Sequence, residues 1–417
     1  MPKTAGSGAI RRALSGKPYR YYAIGSGCAL IGTWVQRLGV GWLTWHLTES
    51  GTWLGLIAFA DIAPALALLP LTGAVADRVD KLKLLRLTQV LQFCEGGALA
   101  LLTYLNVITI ELLLVLTLIQ GTITAFNQPV RLALVPNLVK REDMAAAIGI
   151  HSLLFNIARF IGPALAGWMI VEDGVALAFA VNAATHLLFA VALATIRLVQ
   201  SDTVSAPKSL GDIPAEIVAG FRYAMRHEGI GGVLFLTLMI GVFGRAYVEL
   251  LPGFAAQVFG QGADGLAIMT SSVGGCAILA GIWISQRGRV SGLMRIQLSA
   301  LLAMIVTLFG FAATDVFWIG LFCLAAGGFC MSVNGISGQI LVQAAVESTM
   351  RGRVLGVYGL LSRGGPGLGA LLMGALSGHF GLQWPIAGGA VVCLLAWFWI
   401  WRRRKAMTRQ LEVEPAI

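Results

Sequence analysis

The sequence predicts an all-α integral membrane protein with twelve transmembrane helices, arranged as two six-helix repeats around a central cavity. Three observations predict this fold class: the composition, the spacing of apolar segments and the placement of basic residues. The 417 residues are 57% hydrophobic and only 12% charged, and the mean hydropathy is +0.80. A soluble protein has about 25% charged residues and could not cover this much apolar surface. The composition therefore excludes a soluble globular class.

Twelve segments are long enough to cross a bilayer, which requires roughly 20 mainly apolar residues. The predicted spans are 20–47, 53–76, 84–105, 111–132, 143–171, 174–196, 229–258, 263–286, 292–313, 316–341, 351–378 and 384–401. Because the number of spans is even, both termini are expected on the same side of the membrane.

Lysine and arginine residues set the orientation. Of the 30, Arg37, Arg159, Arg245 and Arg363 lie inside apolar segments, and the other 26 fall at the termini or in every second loop. Basic residues that flank spans stay on the cytoplasmic side. We therefore expect both termini to be cytoplasmic. The net charge of +10 is dispersed over membrane-flanking loops, so no nucleic-acid partner is expected.

The two halves of the chain form an internal repeat. Gly121 and Asn127 recur 207 residues later as Gly328 and Asn334. Two six-span repeats are a plan found in many secondary transporters. The predicted division is 1–196 for the N-terminal six-helix half, 197–228 for a cytoplasmic linker with an interfacial helix, and 229–417 for the C-terminal six-helix half.

Acidic residues inside the spans are the candidates for proton coupling. They are Asp61, Glu249 and Glu95. A carboxylate removed from water can exchange a proton near neutral pH. Each has a simpler interpretation. Asp61 could form a permanent pair with Arg37, Glu95 could serve helix packing, and Glu249 could be an i,i+4 partner of Arg245.

Polar residues at mid-membrane depth are the candidates for lining the substrate cavity, because charge inside a membrane is costly and usually functional. They are Arg37, Gln36, Arg159, Arg245, Asn334 and Arg363. The arginines could bind an anionic substrate or instead pair with carbonyls or carboxylates. For Arg159 we favour a gating or packing role over anion binding. Buried amides such as Asn334 often join helices. No metal-ligand spacing and no nucleophile–base arrangement occurs, so neither a cofactor nor an enzymatic activity is expected.

The segment 73–83 reads Gly-Ala-Val-Ala-Asp-Arg-Val-Asp-Lys-Leu-Lys and resembles the signature loop of the major facilitator superfamily. The resemblance implies that Gly73 allows close helix contact. It also implies that Asp77 and Arg78, together with Arg131 at the end of the fourth span, latch the two halves on the cytoplasmic side.

This loop departs from the family pattern at two positions. Asp80 stands where the family has a second glycine. In the equivalent loop of the second half, Ser285 stands where the aspartate would be, so the resemblance implies an asymmetric latch.

Further stretches resemble the enterobactin-exporter-like branch, the transmembrane secretion effectors. One is Gly-Thr-Trp-Val-Gln-Arg at 32–37, and another is Asn-Gln-Pro-Val-Arg at 127–131. A third, 156–167, also resembles the antiporter signature of the fifth span. Its helix-bend motif consists of Gly162, Pro163 and Gly167.

The resemblance implies a secondary active transporter of the bacterial inner membrane. We expect it to export a small organic molecule, such as a siderophore or an amphiphilic drug, in exchange for protons by alternating access. The expected partners are this substrate, protons and the lipid bilayer, and the functional unit is a monomer. Three alternatives stay open: an importer or uniporter, a non-transporting membrane sensor or assembly factor, and a lipid-handling transporter.

Overall fold

The computed structural model describes residues 7–68, 71–72, 75, 79–196 and 212–412, and its regular structure there is helical. The main helices are α1 (Ser7–Ser15), α2 (Lys17–Thr48), α3 (Gly51–Ala67), α4 (Lys81–Tyr104), α5 (Ile110–Leu134), α6 (Met144–Asp173), α7 (Val175–Thr195), α8 (Asp212–Arg226), α9 (Glu228–Met239), α10 (Ala263–Arg287), α11 (Leu293–Ala313), α12 (Phe317–Ala345), α13 (Arg351–Phe380) and α14 (Gln383–Leu411).

Eight segments among the described residues are long and apolar enough to cross a membrane. They are α5, α6, α7, the segment Glu228–Val258, α10, α11, α12 and α14. The other four predicted spans correspond to α2, α3, α4 and α13. The helix α3 has 17 residues in its described part, and the remaining three carry basic residues at their first turns and charged residues within them. The chain is thus a multi-pass helical membrane protein.

The chain divides into two compact units. The first unit comprises Met1–Leu43 and Ala63–Leu210, and the second comprises Thr44–Ile62 and Gly211–Ile417. The second unit therefore includes the end of α2 and most of α3, which come from the N-terminal half of the sequence.

In the first unit, α2 packs closely against α7. A Cβ atom added to Gly32 would lie 2.1 Å from Thr185 Oγ1 and 3.1 Å from Asn182 Cα, so a side chain at this position has no room. The first unit also contains an aromatic and aliphatic core around Tyr19 and Phe189, which are 1% and 0% exposed. The glycine thus brings the polar atoms of α7 against the backbone of α2.

In the second unit, α3 packs against α13 through small residues. The Thr52 hydroxyl donates to the carbonyl of Gly374 at 3.1 Å. A Cβ atom added to Gly55 would lie 2.2 Å from the carbonyl oxygen of Ala370. Close backbone contact between membrane helices depends on such small residues.

The N-terminus of α4 explains the aspartate at position 80. Asp80 caps the N-terminus of α4, since its carboxylate accepts from the amides of Leu82 at 2.9 Å and Lys83 at 3.0 Å. The residue that replaces the family's glycine therefore satisfies amides that a helix start leaves open.

In the linker, α8 packs on α13, and Glu216 pairs with Arg353 at 3.6 Å.

Candidate functional site

Two arginines of the first unit converge on one aromatic ring. The guanidinium carbon of Arg37 on α2 lies 5.6 Å from the centroid of Trp34, and that of Arg159 on α6 lies 5.9 Å from the same ring. The ring of Phe155 meets Trp34 edge to face at 6.1 Å. Cation–π attraction of this kind contributes roughly 0.5–2 kcal/mol. We call Trp34, Arg37, Phe155 and Arg159 the arginine–aromatic cluster.

The bend motif of α6 brings this cluster together. A Cβ atom added to Gly162 would lie 2.5 Å from Trp34 Cβ, so the glycine allows α6 to approach α2. Pro163 lies inside α6, and the bend-motif residues Gly162, Pro163 and Gly167 are buried. Phe155, Arg159 and Gly162 are spaced so that they share one face of α6. The motif therefore positions the cluster.

The cluster is accessible. Arg37 and Phe155 are exposed, whereas Trp34 and Arg159 are half-buried. Both arginines take part in further polar or electrostatic interactions, so neither is unpartnered. An accessible pair of guanidiniums beside two aromatic rings can bind an anion that carries an apolar or aromatic body.

The next residue on α2 faces a different environment. Gln36 is 4% exposed, and its amide nitrogen donates to both carboxylate oxygens of Glu95 on α4, at 3.2 and 3.1 Å. The amide oxygen of Gln36 accepts from Asn182 Nδ2 on α7. Glu95 is 5% exposed and Asn182 is fully buried. We call Gln36, Glu95 and Asn182 the buried carboxylate network.

A second set of polar side chains, most of them buried, lies on α2, α4, α5 and α7. His186 Nδ1 lies 2.8 Å from Gln89 Oε1, and its Nε2 lies 3.5 Å from the hydroxyl of Thr33. Asn127 donates to Gln92 at 3.3 Å. The first unit thus has a polar interior along α2, α4 and α7, where buried polar groups must bond to one another.

Gln36 and Glu95 were predicted in separate roles, and Asn182, Gln89 and Gln92 were not among the candidates. One sequence signal was available for Gln89, because Gln297 follows it 208 residues later, the same spacing that separates Arg37 and Arg245. Gln297, like Gln89, is a buried polar residue, and it is 1% exposed.

Asp61 lies on the part of α3 that belongs to the second unit, whereas Arg37 belongs to the first. Asp61 is half-buried and has an interaction of its own. Its pairing with Arg37 stays a prediction.

Arg245 lies at a break in the seventh span. After α9 the chain forms a π-helical turn, Ile240–Gly244, and then a 3-10 turn, Ala246–Leu250. Arg245 joins the two turns, and Glu249 lies in the second, so the α-helical spacing assumed for an i,i+4 pair does not hold there. Both residues are half-buried and have interactions. Such π-helical turns often occur at functional sites.

Two glycines of α13 pack against the backbone of the seventh span at this break. A Cβ atom added to Gly369 would lie 2.0 Å from the carbonyl oxygen of Val242, within the π-helical turn. A Cβ atom added to Gly365 would lie 3.2 Å from Cα of Gly241. The irregular backbone is thus covered by protein, as membrane helices require.

The remaining substrate-cavity candidates of the second unit are Asn334 and Arg363. Asn334 is 2% exposed, and its Nδ2 donates to the carbonyl of Cys330 in its own helix at 2.9 Å. Arg363 is exposed on α13. Near Asn334, the Tyr358 hydroxyl donates to the carbonyl of Gly335 at 2.7 Å.

Most of the latch motif, namely Gly73, Asp77 and Arg78, lies outside the described residues. Arg131 is described and is 9% exposed. Its guanidinium donates to the hydroxyl of Ser26 and lies 5.9 Å from the centroid of Phe189. Arg131 is therefore embedded in the core of the first unit.

The fold is that of major facilitator superfamily transporters, and the chain is a membrane transporter rather than an enzyme. A bacterial homologue of the human lysosomal transporter Spinster, solved in an inward-facing conformation, superposes with a TM-score of 0.74 at 15% identity, covering 95% of this chain and 99% of that one. The nucleoside transporter NupG superposes with a TM-score of 0.70 at 15% identity, covering 94% and 99%.

Residues 13–416 match the family model of the transmembrane secretion effectors, and the chain belongs to that family. It is 25% identical over 390 residues to the Staphyloferrin A transporter of Staphylococcus aureus, covering 92% of this chain and 96% of that protein. It is also 25% identical over 361 residues to the Enterobactin exporter EntS of Citrobacter koseri, covering 84% and 80%. The predicted family is thus confirmed.

Proposed function

We propose that this transporter exports a small anionic organic molecule, a siderophore or an amphiphilic drug, across the bacterial inner membrane in exchange for protons. The similarity to a Staphyloferrin A transporter and an enterobactin exporter supports the siderophore class. We further propose that both termini are cytoplasmic, that the protein acts as a monomer, and that Asp77 and Arg78 form the cytoplasmic latch.

The convergence of Arg37 and Arg159 on Trp34 carries the substrate part of this proposal. Two cations in one accessible cluster favour a carboxylate or phenolate, which a guanidinium binds through charge-assisted hydrogen bonds. The exposed ring of Phe155 supplies apolar contact for the body of the substrate. A cluster of this composition selects an anion with an aromatic or hydrocarbon portion over a neutral sugar.

The buried carboxylate network supports the proton part. Of the three proposed proton-coupling residues, Glu95 is buried in the structure, whereas Asp61 and Glu249 are half-buried. As a carboxylate, Glu95 accepts twice from Gln36. Protonation would turn one of these acceptors into a hydroxyl donor and leave a single neutral acceptor for Gln36, which would weaken the hold of Glu95 on α2 beside Arg37.

Transport into inverted proteoliposomes tests the proposal. The purified protein is supplied with a labelled siderophore or drug panel under an imposed pH gradient, acidic inside. We expect uptake that requires the gradient and is abolished by a protonophore. The variants Asp61→Asn, Glu95→Gln and Glu249→Gln then locate the coupling residue, because each removes the titratable group with little change in shape.

The outcomes separate the alternatives. Flux that is indifferent to the gradient in the wild type and in all three variants would indicate a uniporter. Uptake only into vesicles in which the protein has the opposite, right-side-out orientation would indicate an importer. Competition with the labelled substrate by phospholipids alone would indicate a lipid-handling transporter. Absence of flux for the whole panel, with correctly inserted protein, would favour a non-transporting sensor.

A further inference from the structure

The last membrane helix ends in a run of stacked arginines. Three consecutive guanidiniums each lie over an aromatic ring about one turn earlier. The pairs are Arg402 over Phe398 at 4.3 Å, Arg403 over Trp399 at 4.4 Å and Arg404 over Trp401 at 3.8 Å. Contacts this regular distinguish the segment from the other basic loops, in which most arginines lack an aromatic neighbour among the described residues.

The three rings keep much of their surface exposed beside the packed face of α14, and Trp399 also meets Phe235 of α9 edge to face at 5.0 Å. Near the end of α14 the packed face contains Ile400, Met407 and Leu411, all fully buried. Phe398, Trp399 and Trp401 are instead 44%, 43% and 39% exposed. Aromatic rings exposed at the end of a membrane helix lie at the level of the lipid headgroups. The stacked arginines therefore lie at the boundary between hydrocarbon and water.

The direction of the side chains places the positive charge in the headgroup layer. Side chains of a helix lean toward its N-terminus, and the stacking on earlier rings shows that these guanidiniums do so. Since α14 runs from the membrane into the basic tail, the three charges point back toward the bilayer. Long basic side chains that extended into water would point the other way.

Among residues 7–196 and 212–412, as far as the structure describes them, few partners take up the hydrogen-bond donors of these guanidiniums. Arg404 Nη1 donates to the carbonyl of Trp401 at 2.8 Å. Arg403 Nη1 lies 3.8 Å from Glu228, and both side chains of that pair are about half exposed, so the ion pair is weak. Each guanidinium has five N–H donors in a planar fork that matches the geometry of a phosphate.

We propose that Arg402, Arg403 and Arg404, with the rings of Phe398, Trp399 and Trp401, form a binding site for the headgroup of an anionic phospholipid. Charge complementarity identifies the ligand, because Lys405 and Arg409 add further positive charge in the next two turns. The aromatic rings hold the guanidiniums beside the acyl-chain region, which a free phosphate ion would not enter. The proposal requires that this end of α14 faces the cytoplasmic leaflet, and it is independent of the transported substrate.

Lipid titration of the full-length protein tests the site. The protein in a neutral detergent is titrated with phosphatidylglycerol or phosphatidylcholine, and bound lipid is measured by native mass spectrometry. We expect preferential binding of phosphatidylglycerol. The triple variant R402Q/R403Q/R404Q should bind it at least about tenfold more weakly, because each cation near an anionic surface contributes roughly fivefold.

A matched control removes the same charge elsewhere. The variant K140Q/R141Q/R289Q changes three exposed basic residues between main helices, away from the linker helix, for which the structure describes no cation–π contact, and its affinity should change less than about twofold. The charge-preserving variants R402K/R403K/R404K and Phe398→Leu should show intermediate losses, since they keep the charge but weaken the stacking. They also decide the question if the glutamine variant does not fold.

Three results would overturn the proposal. One is wild-type affinity in the folded glutamine variant, or in both charge-preserving variants. Another is an equal loss in the control variant, which would indicate attraction to net charge alone. The third is displacement of phosphatidylglycerol by an equal concentration of inorganic phosphate, which would indicate a site for a free anion.

Discussion

Gln36 and Arg37 are consecutive residues of α2, and the structure gives them opposite environments. Gln36 is buried and bonded to Glu95, whereas Arg37 is exposed beside Trp34. Since one turn of α2 carries both, a change in the bonding of Gln36 would be transmitted to Arg37 over a single peptide unit. If Glu95 binds the coupled proton and Arg37 the substrate, as proposed, this adjacency connects the two events directly.

At Glu95, removal of the charge and removal of the side chain should have different effects. Glu95→Gln keeps an acceptor for Gln36, so we expect a Tm close to wild type but loss of gradient-driven flux. Glu95→Ala leaves the buried Gln36 amide without this acceptor and should destabilise the protein by about 1–3 kcal/mol. Thermal unfolding and proteoliposome flux measure the two effects.

Glu111→Gln is the control for Glu95, because Glu111 is an exposed carboxylate at the first turn of α5. It should change neither the Tm nor the flux. Full gradient-driven flux in Glu95→Gln would exclude Glu95 from proton coupling and leave Asp61 and Glu249.

At Arg37, the charge and the stacking can be separated. Arg37→Gln should raise KM for an anionic substrate roughly tenfold, since a charge-assisted hydrogen bond and a cation–π contact are both lost. Arg37→Lys keeps the charge and should give a smaller increase. The measurement is the concentration dependence of uptake, with Arg289→Gln in a loop as the control. An unchanged KM in Arg37→Gln would remove this residue from substrate binding.

At the scale of helices, the sequence predicted the spans well and the packing poorly. Apolar runs and flanking charges locate a membrane helix from local composition alone, which is why the seventh span was predicted as 229–258. Its π-helical turn was not predicted, because it forms where Gly369 and Gly365 of α13 approach the backbone of Val242 and Gly241. Contacts between helices distant in the sequence leave no local periodicity.

The same reasoning explains the partial prediction of the candidate site. Arg37 and Arg159 were recognised because charge inside an apolar span is conspicuous. Trp34, on which both converge, was not among the candidates, because aromatic residues are common in membrane helices and give no signal of their own. The link between Gln36 and Glu95 depends on how α2 meets α4, and no spacing within either helix encodes it.

The contact of α2 with α7 should be sensitive to one methyl group. Gly32→Ala places a Cβ atom 2.1 Å from Thr185 Oγ1, so the helices must separate and the Asn182–Gln36 bond must lengthen. We expect a loss of about 1–3 kcal/mol in stability, as in other overpacked interiors. Thermal unfolding measures it. Gly97→Ala on α4 is the control, because a Cβ atom there meets nothing within 4 Å. Equal Tm values for the two variants would contradict the close packing at Gly32.

At the scale of the whole molecule, the distribution of basic residues makes the topology a separate, testable property. Membership of the family shows that the chain is a multi-pass membrane protein. The proposed orientation, with both termini cytoplasmic, rests on the cost of moving lysine and arginine across the membrane. The lipid site at the end of α14 and the proposed latch both require the cytoplasmic side. An error in orientation would therefore invalidate both, while the buried carboxylate network would be unaffected.

Single cysteines in a cysteine-free background test this orientation. Ser50 lies between α2 and α3, and Asp315 lies between α11 and α12. In intact cells, a membrane-impermeant maleimide should label cysteines at both positions, because odd-numbered loops carry no basic residues and face outward. A cysteine at Lys208, outside the described residues, should react only after the membrane is opened, since it lies in the basic central linker. All three variants should react equally in detergent, which shows that the thiols are accessible.

Labelling of Lys208→Cys in intact cells, without labelling at Ser50 and Asp315, would reverse the orientation. Labelling at Ser50 but not at Asp315 would show that a span of the second half fails to cross the membrane. In that case the even number of crossings, on which the shared side of the termini depends, would be lost.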